Sequence, residues 1–172
     1  LTKKYTYYYD TQYLESTTLA TADTFGNVYY HYISENFNSQ GYGRVDRQVL
    51  GTADANGAVA YYYEYYAGST IVKKKLCYGT ANYTDPKNPV FSNLKIAYEY
   101  DSAGVLKNTY TYHASGRMAS KIMTTADGQG VIEYNYADES FYNNGTPVDP
   151  SDDFGRLSGY RLATPNSKNE LS

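Results

Sequence analysis

The chain has 172 residues, a formal net charge of −3, and 24 tyrosines but no tryptophan. This length is enough for a domain with a hydrophobic core, and the charge gives no electrostatic basis for binding nucleic acid. No apolar run approaches the ~18 residues that a membrane-spanning helix needs. The many tyrosines favour strands with half-buried faces, so the composition predicts a β-rich protein without a membrane-spanning segment.

The first predicted element is the tyrosine-rich strand Tyr5-Thr6-Tyr7-Tyr8-Tyr9. Gln12-Tyr13-Leu14 follows it and lies nine residues before Thr21. Further along the chain, Gly-Arg-aliphatic tripeptides stand at the same distance before a threonine. We therefore interpret Gln12-Tyr13-Leu14 as a degenerate copy of that tripeptide.

A Thr-Ala-Asp motif begins at Thr21, Thr52 and Thr125. Counted from the threonine, each copy has Asp at +2, Gly at +5, a β-branched aliphatic residue at +7 and Tyr at +9 and +11. Asp-x-x-Gly predicts a tight turn, because aspartate accepts hydrogen bonds from the nearby backbone and glycine tolerates positive φ. The alternation after the glycine predicts a strand with one buried face. The repeat residues are Asp23, Gly26, Tyr30, Tyr32, Asp54, Gly57, Tyr61, Tyr63, Asp127, Gly130, Tyr134 and Tyr136.

Gly-Arg-aliphatic tripeptides recur at Gly43-Arg44-Val45, Gly116-Arg117-Met118 and Gly155-Arg156-Leu157. Each precedes a return strand, so the three glycines are predicted to occupy equivalent turn positions, often with positive φ. The three arginines are predicted to stack on tyrosine rings of the neighbouring strand or to pair with turn aspartates. The tyrosines are predicted to stack across adjacent strands.

The combined pattern predicts an all-β fold of consecutive antiparallel β-hairpin repeats forming one extended, twisted or spiralling sheet. Residues 1–172 are predicted to be a single repeat domain of about five hairpin units. Residues 61–93 are the divergent unit, and their loop at 83–89 contains two prolines that exclude it from a central strand. Loops are inserted at 33–42 and 137–153, where acidic and polar residues precede a phenylalanine.

The compact form of the repeat runs Tyr98-Glu99-Tyr100-Asp101-Ser102-Ala103-Gly104-Val105-Leu106. Residues 110–118 repeat it, and Phe154-Gly155-Arg156-Leu157 matches its end. These segments resemble the RHS or YD-repeat family, whose signature is Tyr-x-Tyr-Asp-x-x-Gly-Arg-Leu. The resemblance implies long antiparallel sheets that spiral into casings, in secreted and cell-surface proteins that serve as containers, scaffolds or adhesins. The chain departs from that pattern in its regular Thr-Ala-Asp turn and in its two insertions.

Catalytic and metal-binding patterns are weak. His31 and His113 are the only histidines and have no metal-ligand spacing, and the single Cys77 is predicted to be a small buried hydrophobic residue. Asp149, Asp152 and Asp153 form a weak calcium candidate, for which a solvated loop is the simpler interpretation. Asn82 and Asn144 lie in glycosylation sequons. No cofactor and no enzymatic activity are predicted.

The leading hypothesis is a non-catalytic extracellular or cell-surface structural protein, either a segment of a large casing or the subunit of a fibre. The alternative is a carbohydrate-binding or adhesion module that stacks a polysaccharide on its tyrosine-rich faces. The tyrosine strand near the start, and the hairpin opened by Gly155 near the end, predict that the sheet continues beyond its outer strands. The partner would be another copy of the chain or further repeats of a longer chain.

Overall fold

The computed structural model describes residues 3–38, 42–128, 130–142 and 152–163. These residues form β-strands that follow one another in the sheet in chain order, which confirms the predicted all-β fold. Each strand with a recorded register is antiparallel to its neighbour. The strands are β1 (Lys3–Tyr7), β2 (Leu14–Leu19), β3 (Asn27–Tyr32), β4 (Val45–Leu50), β5 (Ala60–Tyr65), β6 (Val72–Asn82), β7 (Val90–Tyr100), β8 (Leu106–Tyr112), β9 (Met118–Met123), β10 (Val131–Tyr136) and β11 (Leu157–Leu162).

The chain divides into two compact units, Leu1–Asn93 and Leu94–Ser172. The boundary falls inside β7, and both units are built from the same kind of hairpin. Among the described residues, no helix has the length and apolar character needed to cross a bilayer.

A tight turn closes on the Asp-x-x-Gly sequences that begin at Asp23, Asp54, Asp101 and Asp127. In the turn at Asp54, the Asp54 N–H donates to the Ala58 carbonyl at 2.9 Å, and the Gly57 N–H donates to the Asp54 carbonyl at 3.0 Å. The same pair of backbone bonds recurs in the turns that begin at Asp23, Asp101, His113 and Asp127. The glycines of these turns, Gly26, Gly57, Gly104, Gly116 and Gly130, have φ between 73° and 90°. The predicted turn chemistry is therefore confirmed.

Hairpins that follow a Tyr-x-Tyr sequence share one register. In the β3–β4 hairpin, Tyr30 lies opposite Gln48, and the register shifts by a bulge before Tyr32 meets Val45. The same offset and bulge recur in β1–β2, β7–β8, β8–β9 and β10–β11. A repeated bulge keeps register and twist alike from hairpin to hairpin.

The buried face of β3 is the one opposite the motif tyrosines. Asn27, Tyr29 and His31 are buried, whereas Tyr30 and Tyr32 are half-buried. The core of the first unit joins Tyr29 to Val49 and Ala60. The β6–β7 loop lies over it: the Tyr83 ring is 5.5 Å from the Tyr29 ring, and the Tyr29 hydroxyl donates to the Pro86 carbonyl at 3.0 Å. The divergent unit thus covers the Tyr29 face of β3. The period-two alternation of the sequence shows that a strand has two faces but does not show which one is covered.

Candidate functional site

The repeat aspartates link each turn to the strand that follows it. Asp54 Oδ1 accepts from the N–H groups of Asn56 and Ala58, both at 2.9 Å, and Oδ2 accepts from the Tyr61 hydroxyl at 3.1 Å. In the first copy, Asp23 accepts in the same way from Phe25, Asn27 and the Tyr30 hydroxyl. The Tyr134 hydroxyl donates to Asp127 in the third copy, which raises the pKa of Tyr134 to about 12. The motif carboxylates and phenols are therefore partners of each other.

The predicted stacking of tyrosines across adjacent strands is wrong for the motif rings. Rings contact each other along one strand instead: Tyr30 and Tyr32 stack with centroids 6.4 Å apart, and Tyr61 and Tyr63 meet edge to face with centroids 6.1 Å apart. The reason is that a return strand lies next to β3 and next to β5 on the side that leads to the other. Thr17 and Gln48 occupy the positions next to Tyr30 on the two neighbouring strands.

Each insertion places a glutamate against the arginine of the next tripeptide. Glu35 Oε1 accepts from the Arg44 backbone N–H at 3.1 Å and from Nε at 2.6 Å, and Oε2 accepts from Nη2 at 2.8 Å. Glu139 and Arg156 repeat these contacts at 3.1, 2.6 and 2.9 Å. The hydrogen bond from Arg44 holds the pKa of Glu35 below its usual range. Each of these two Glu–Arg pairs is named a glutamate clamp below.

The predicted stacking of an arginine on a neighbouring tyrosine is confirmed for Arg44, but the predicted pairing with turn aspartates is not seen for it. The Arg44 guanidinium lies 4.8 Å from the centroid of the Tyr65 ring on the neighbouring strand and 4.9 Å from that of Phe37. The acidic partner of Arg44 is a glutamate of the insertion and not a turn aspartate. Arg117 comes closest to Asp138, at 3.7 Å, and this residue also lies in an insertion. The sequence feature that could have predicted these partners is the acidic residues that precede the phenylalanine in both insertions.

The three tripeptide glycines are not equivalent. Gly116 has a φ of 90°, as predicted, but Gly43 and Gly155 do not have positive φ. A Cβ on Gly43 would lie 1.9 Å from the Ile33 carbonyl oxygen, and one on Gly155 would lie 1.9 Å from that of Ala137. Close backbone approach at the base of each insertion therefore requires glycine there.

A polar cluster that the sequence did not predict is buried beside β3. His31 Nδ1 donates to Asp46 Oδ1 at 2.5 Å, and both residues are buried. The Tyr8 hydroxyl lies 3.5 Å from His31 Nε2 and donates to the Tyr32 carbonyl at 2.8 Å. Ser16, directly opposite His31, is hydrogen-bonded to Thr6 at 2.6 Å. The cluster connects β1 to β4; His31, Asp46 and Ser16 are buried, and Tyr8 and Thr6 are half-buried.

The remaining candidates have structural surroundings. Cys77 is buried, as predicted, and burial raises the pKa of its thiol to about 11. His113 Nε2 lies 2.9 Å from the Tyr136 carbonyl oxygen. Within the described ranges, no three His, Cys, Asp or Glu side chains are grouped to hold a metal ion. Asp152 is half-buried and Asp153 is buried, while Asp149 and Asn144 lie outside the described residues. Asn82 is exposed at the end of β6.

The face of the first unit that carries the motif tyrosines bears two open cavities. One, of about 590 Å³, is lined by Phe25, Tyr30, Gln48, Asp54 and Tyr61, among others. The second, of about 430 Å³, shares Tyr30 and is also lined by Tyr5, Thr17, Tyr32 and Tyr42. These cavities are two places where the described surface of this unit could hold a ligand.

The motif from Tyr98 to Leu106 that carries the YD-repeat resemblance forms a hairpin closed by the Asp101 turn. The sequence matches no protein-family model, and no curated protein matches it. Membership of the YD-repeat family therefore stays a prediction from the motif.

Proposed function

We propose that the chain is a non-catalytic structural protein of the cell exterior, a β-repeat scaffold that forms a segment of a casing or the subunit of a fibre. The carrying observation is that the recurring polar residues are engaged with one another: each repeat aspartate holds its own turn and accepts the hydroxyl of its own tyrosine. A repeat whose aspartate and tyrosine serve their own hairpin is suited to building sheet, because each hairpin pairs with the next.

The outer strands support continuation of the sheet. In the described part of the chain, β1 pairs with β2 and β11 pairs with β10, so each has a second edge. β1 is a tyrosine strand and β11 is a return strand, and within the sheet return strands such as β2, β4 and β9 are followed by tyrosine strands. The edge of β11 therefore fits a further tyrosine strand, and the edge of β1 fits a return strand.

The register shows what a second copy would bring to these edges. Thr17, Gln48 and Lys121 lie opposite Tyr30, Tyr61 and Tyr134, and Tyr160 has the equivalent place in β11. Pairing β11 with β1 of another copy would set Tyr160 opposite Tyr5, and Arg161 opposite Lys4. Like charges directly opposite each other are destabilising. This favours further repeats of a longer chain over copies of these 172 residues as the partner.

The test is light scattering after size exclusion, over a range of protein concentrations. We expect the Lys4→Glu variant to associate head to tail more strongly than the parent chain, because a carboxylate would then face Arg161. Lys3→Glu is the matched control, since its side chain points to the other face of β1. Equal behaviour of the two variants, with both remaining monomeric, would contradict pairing at these edges.

A further inference from the structure

One row of side chains crosses the first five strands on the face that carries the motif tyrosines. Tyr5 lies opposite Thr17, Thr17 opposite Tyr30, Tyr30 opposite Gln48, and Gln48 opposite Tyr61. Aromatic and polar side chains therefore alternate across the sheet. Because neighbouring strands lie about 4.8 Å apart, successive tyrosines of the row lie about 9.6 Å apart.

The two open cavities lie along this row and meet at Tyr30. Together they are named the tyrosine groove. Gln48 and Thr17 lie on its floor between the rings, and Thr52 and Asn38 lie on its walls. The groove presents aromatic rings at regular intervals, with amide and hydroxyl groups between them. The Lys75 ammonium covers one face of the Tyr61 ring, 3.6 Å from its centroid, and Gln48 Oε1 accepts from the Tyr63 hydroxyl at 2.9 Å.

Phe25 lines the groove and is not explained by the fold. Its side chain is 84% exposed in the Asp23 turn, two residues after the aspartate. The other Asp-x-x-Gly turns have Asn56, Ala103 and Gln129 at this place, so the turn does not require an aromatic ring. Phe25 therefore adds an exposed aromatic face to the edge of the groove.

Two of the rings that line the groove have fixed orientations. Tyr30 and Tyr61 are held by hydroxyl bonds to Asp23 and Asp54, and Tyr30 also stacks on Tyr32. Fixed rings lose little conformational entropy on binding. The Asp23 and Asp54 carboxylates line the groove together with the Lys3 ammonium, so its lining carries charges of both signs and does not select an anion.

We propose that the tyrosine groove binds a linear, neutral, β-linked polysaccharide. In such a chain the sugar rings are flat and extended, their C–H faces stack on aromatic rings, and their hydroxyl groups point sideways to polar partners. The alternation of ring and polar group across β1–β5 matches that order, and the ring interval is about the length of a disaccharide. The site goes beyond the proposed scaffold role and does not depend on it.

Isothermal titration calorimetry of the full chain with three hexasaccharides tests the proposal. Cellohexaose and chitohexaose present extended β-linked chains, and maltohexaose presents the same kind of ring in a curved α-linked chain. Phe25→Ala and Tyr5→Ala remove exposed rings that line the groove, and Tyr9→Ala is the matched control, because Tyr9 is 93% exposed and does not line it. Thermal melts by circular dichroism check that all variants fold.

We expect cellohexaose or chitohexaose to bind, and each groove variant to weaken that binding about tenfold, a change of about 1.4 kcal/mol. The Tyr9→Ala variant should bind like the parent chain. Absence of binding by both β-linked probes would overturn the proposal. It would equally be overturned if maltohexaose bound as tightly, or if Tyr9→Ala weakened binding as much as Phe25→Ala.

Discussion

At the scale of single residues, one carboxylate connects three parts of its repeat. Asp23 and Asp54 each accept two backbone N–H groups within their turns and the phenol that follows seven residues later, and Asp127 accepts the Val131 N–H and the Tyr134 phenol. The turn, the strand direction and the orientation of the ring are thereby set together. A side chain with this many partners is expected to dominate the stability of its hairpin.

Replacing Asp54 by alanine should reduce the free energy of unfolding by about 1–3 kcal/mol, because two N–H groups and a phenol lose their acceptor. Asp54→Asn retains an acceptor oxygen and should cost less. Urea unfolding followed by circular dichroism measures both. If the alanine variant stayed within about 0.5 kcal/mol of the parent, the turn would not depend on this carboxylate.

Lowering the pH should destabilise the turn that Asp54 holds. Burial raises the pKa of Asp54, but hydrogen bonds from Ala58, Asn56 and the Tyr61 hydroxyl outweigh burial, and the net pKa lies below its usual value. A lowered folded pKa gives stability that is present above the unfolded pKa of about 4 and is lost as the pH falls through the folded pKa. The free energy of unfolding should therefore fall on acidification, and its pH dependence should be smaller in Asp54→Asn. An unchanged pH profile in that variant would exclude Asp54 as a source.

Gly43 should tolerate substitution far less than Gly159. A Cβ on Gly43 would lie 1.9 Å from the Ile33 carbonyl oxygen, whereas one on Gly159 would meet no atom within 4 Å. Gly43→Ala must move the backbone at the base of the insertion, so we expect a loss of more than about 1 kcal/mol. Gly159→Ala is the matched control, with an expected change within about 0.5 kcal/mol. Equal melting temperatures for the two variants would contradict the close approach.

At the scale of the strands, the pair formed by His31 and Asp46 joins β3 to β4. His31→Ala removes the hydrogen bond to the buried Asp46 carboxylate and leaves it with Arg47 Nε at 3.5 Å, so the variant should cost about 1.5–3 kcal/mol. His113→Ala is the control and should cost about 1 kcal/mol, because this half-buried residue has a backbone carbonyl as its partner.

A double-mutant cycle separates the pair from its surroundings. His31→Ala combined with Asp46→Ala should cost less than the sum of the single losses, by about 1 kcal/mol or more. Additive losses in denaturant unfolding would show that the two side chains act independently. In that case the stability lost in each alanine variant would come from the burial of the side chain and not from the bond between the two.

At the scale of the whole molecule, the sheet is an array in which each strand pairs with its neighbours in the chain. Such arrays open from their ends. β1 and β11 are mostly exposed and pair on one side in the described part of the chain, whereas β3 and β4 pair on both sides. Hydrogen exchange followed by mass spectrometry should therefore show faster exchange in β1 and β11 than in β3 and β4. Protection of β1 equal to that of β3 would mean that its second edge is covered.

The hairpins follow from local sequence. Asp-x-x-Gly turns, the bulged register after Tyr-x-Tyr and the strand order depend on contacts between residues close in the chain, and these contacts repeat wherever the motif repeats. The hydrogen bond between Asp54 and Tyr61 joins residues seven positions apart, so both partners lie within one copy of the motif. The role of Cys77 followed in the same way, from an apolar neighbourhood within a strand.

The local sequence does not specify which face of β3 is buried, because burial of that face depends on the position of the β6–β7 loop in the folded protein. Tyr29 is buried by Tyr83 and Pro86, more than fifty residues away in the chain. The glutamate clamps, the pair of His31 with Asp46, and the row of Tyr5, Tyr30 and Tyr61 likewise join residues from different repeats or across an insertion. Period-two alternation marks two faces of a strand, but burial belongs to the face that a distant segment covers.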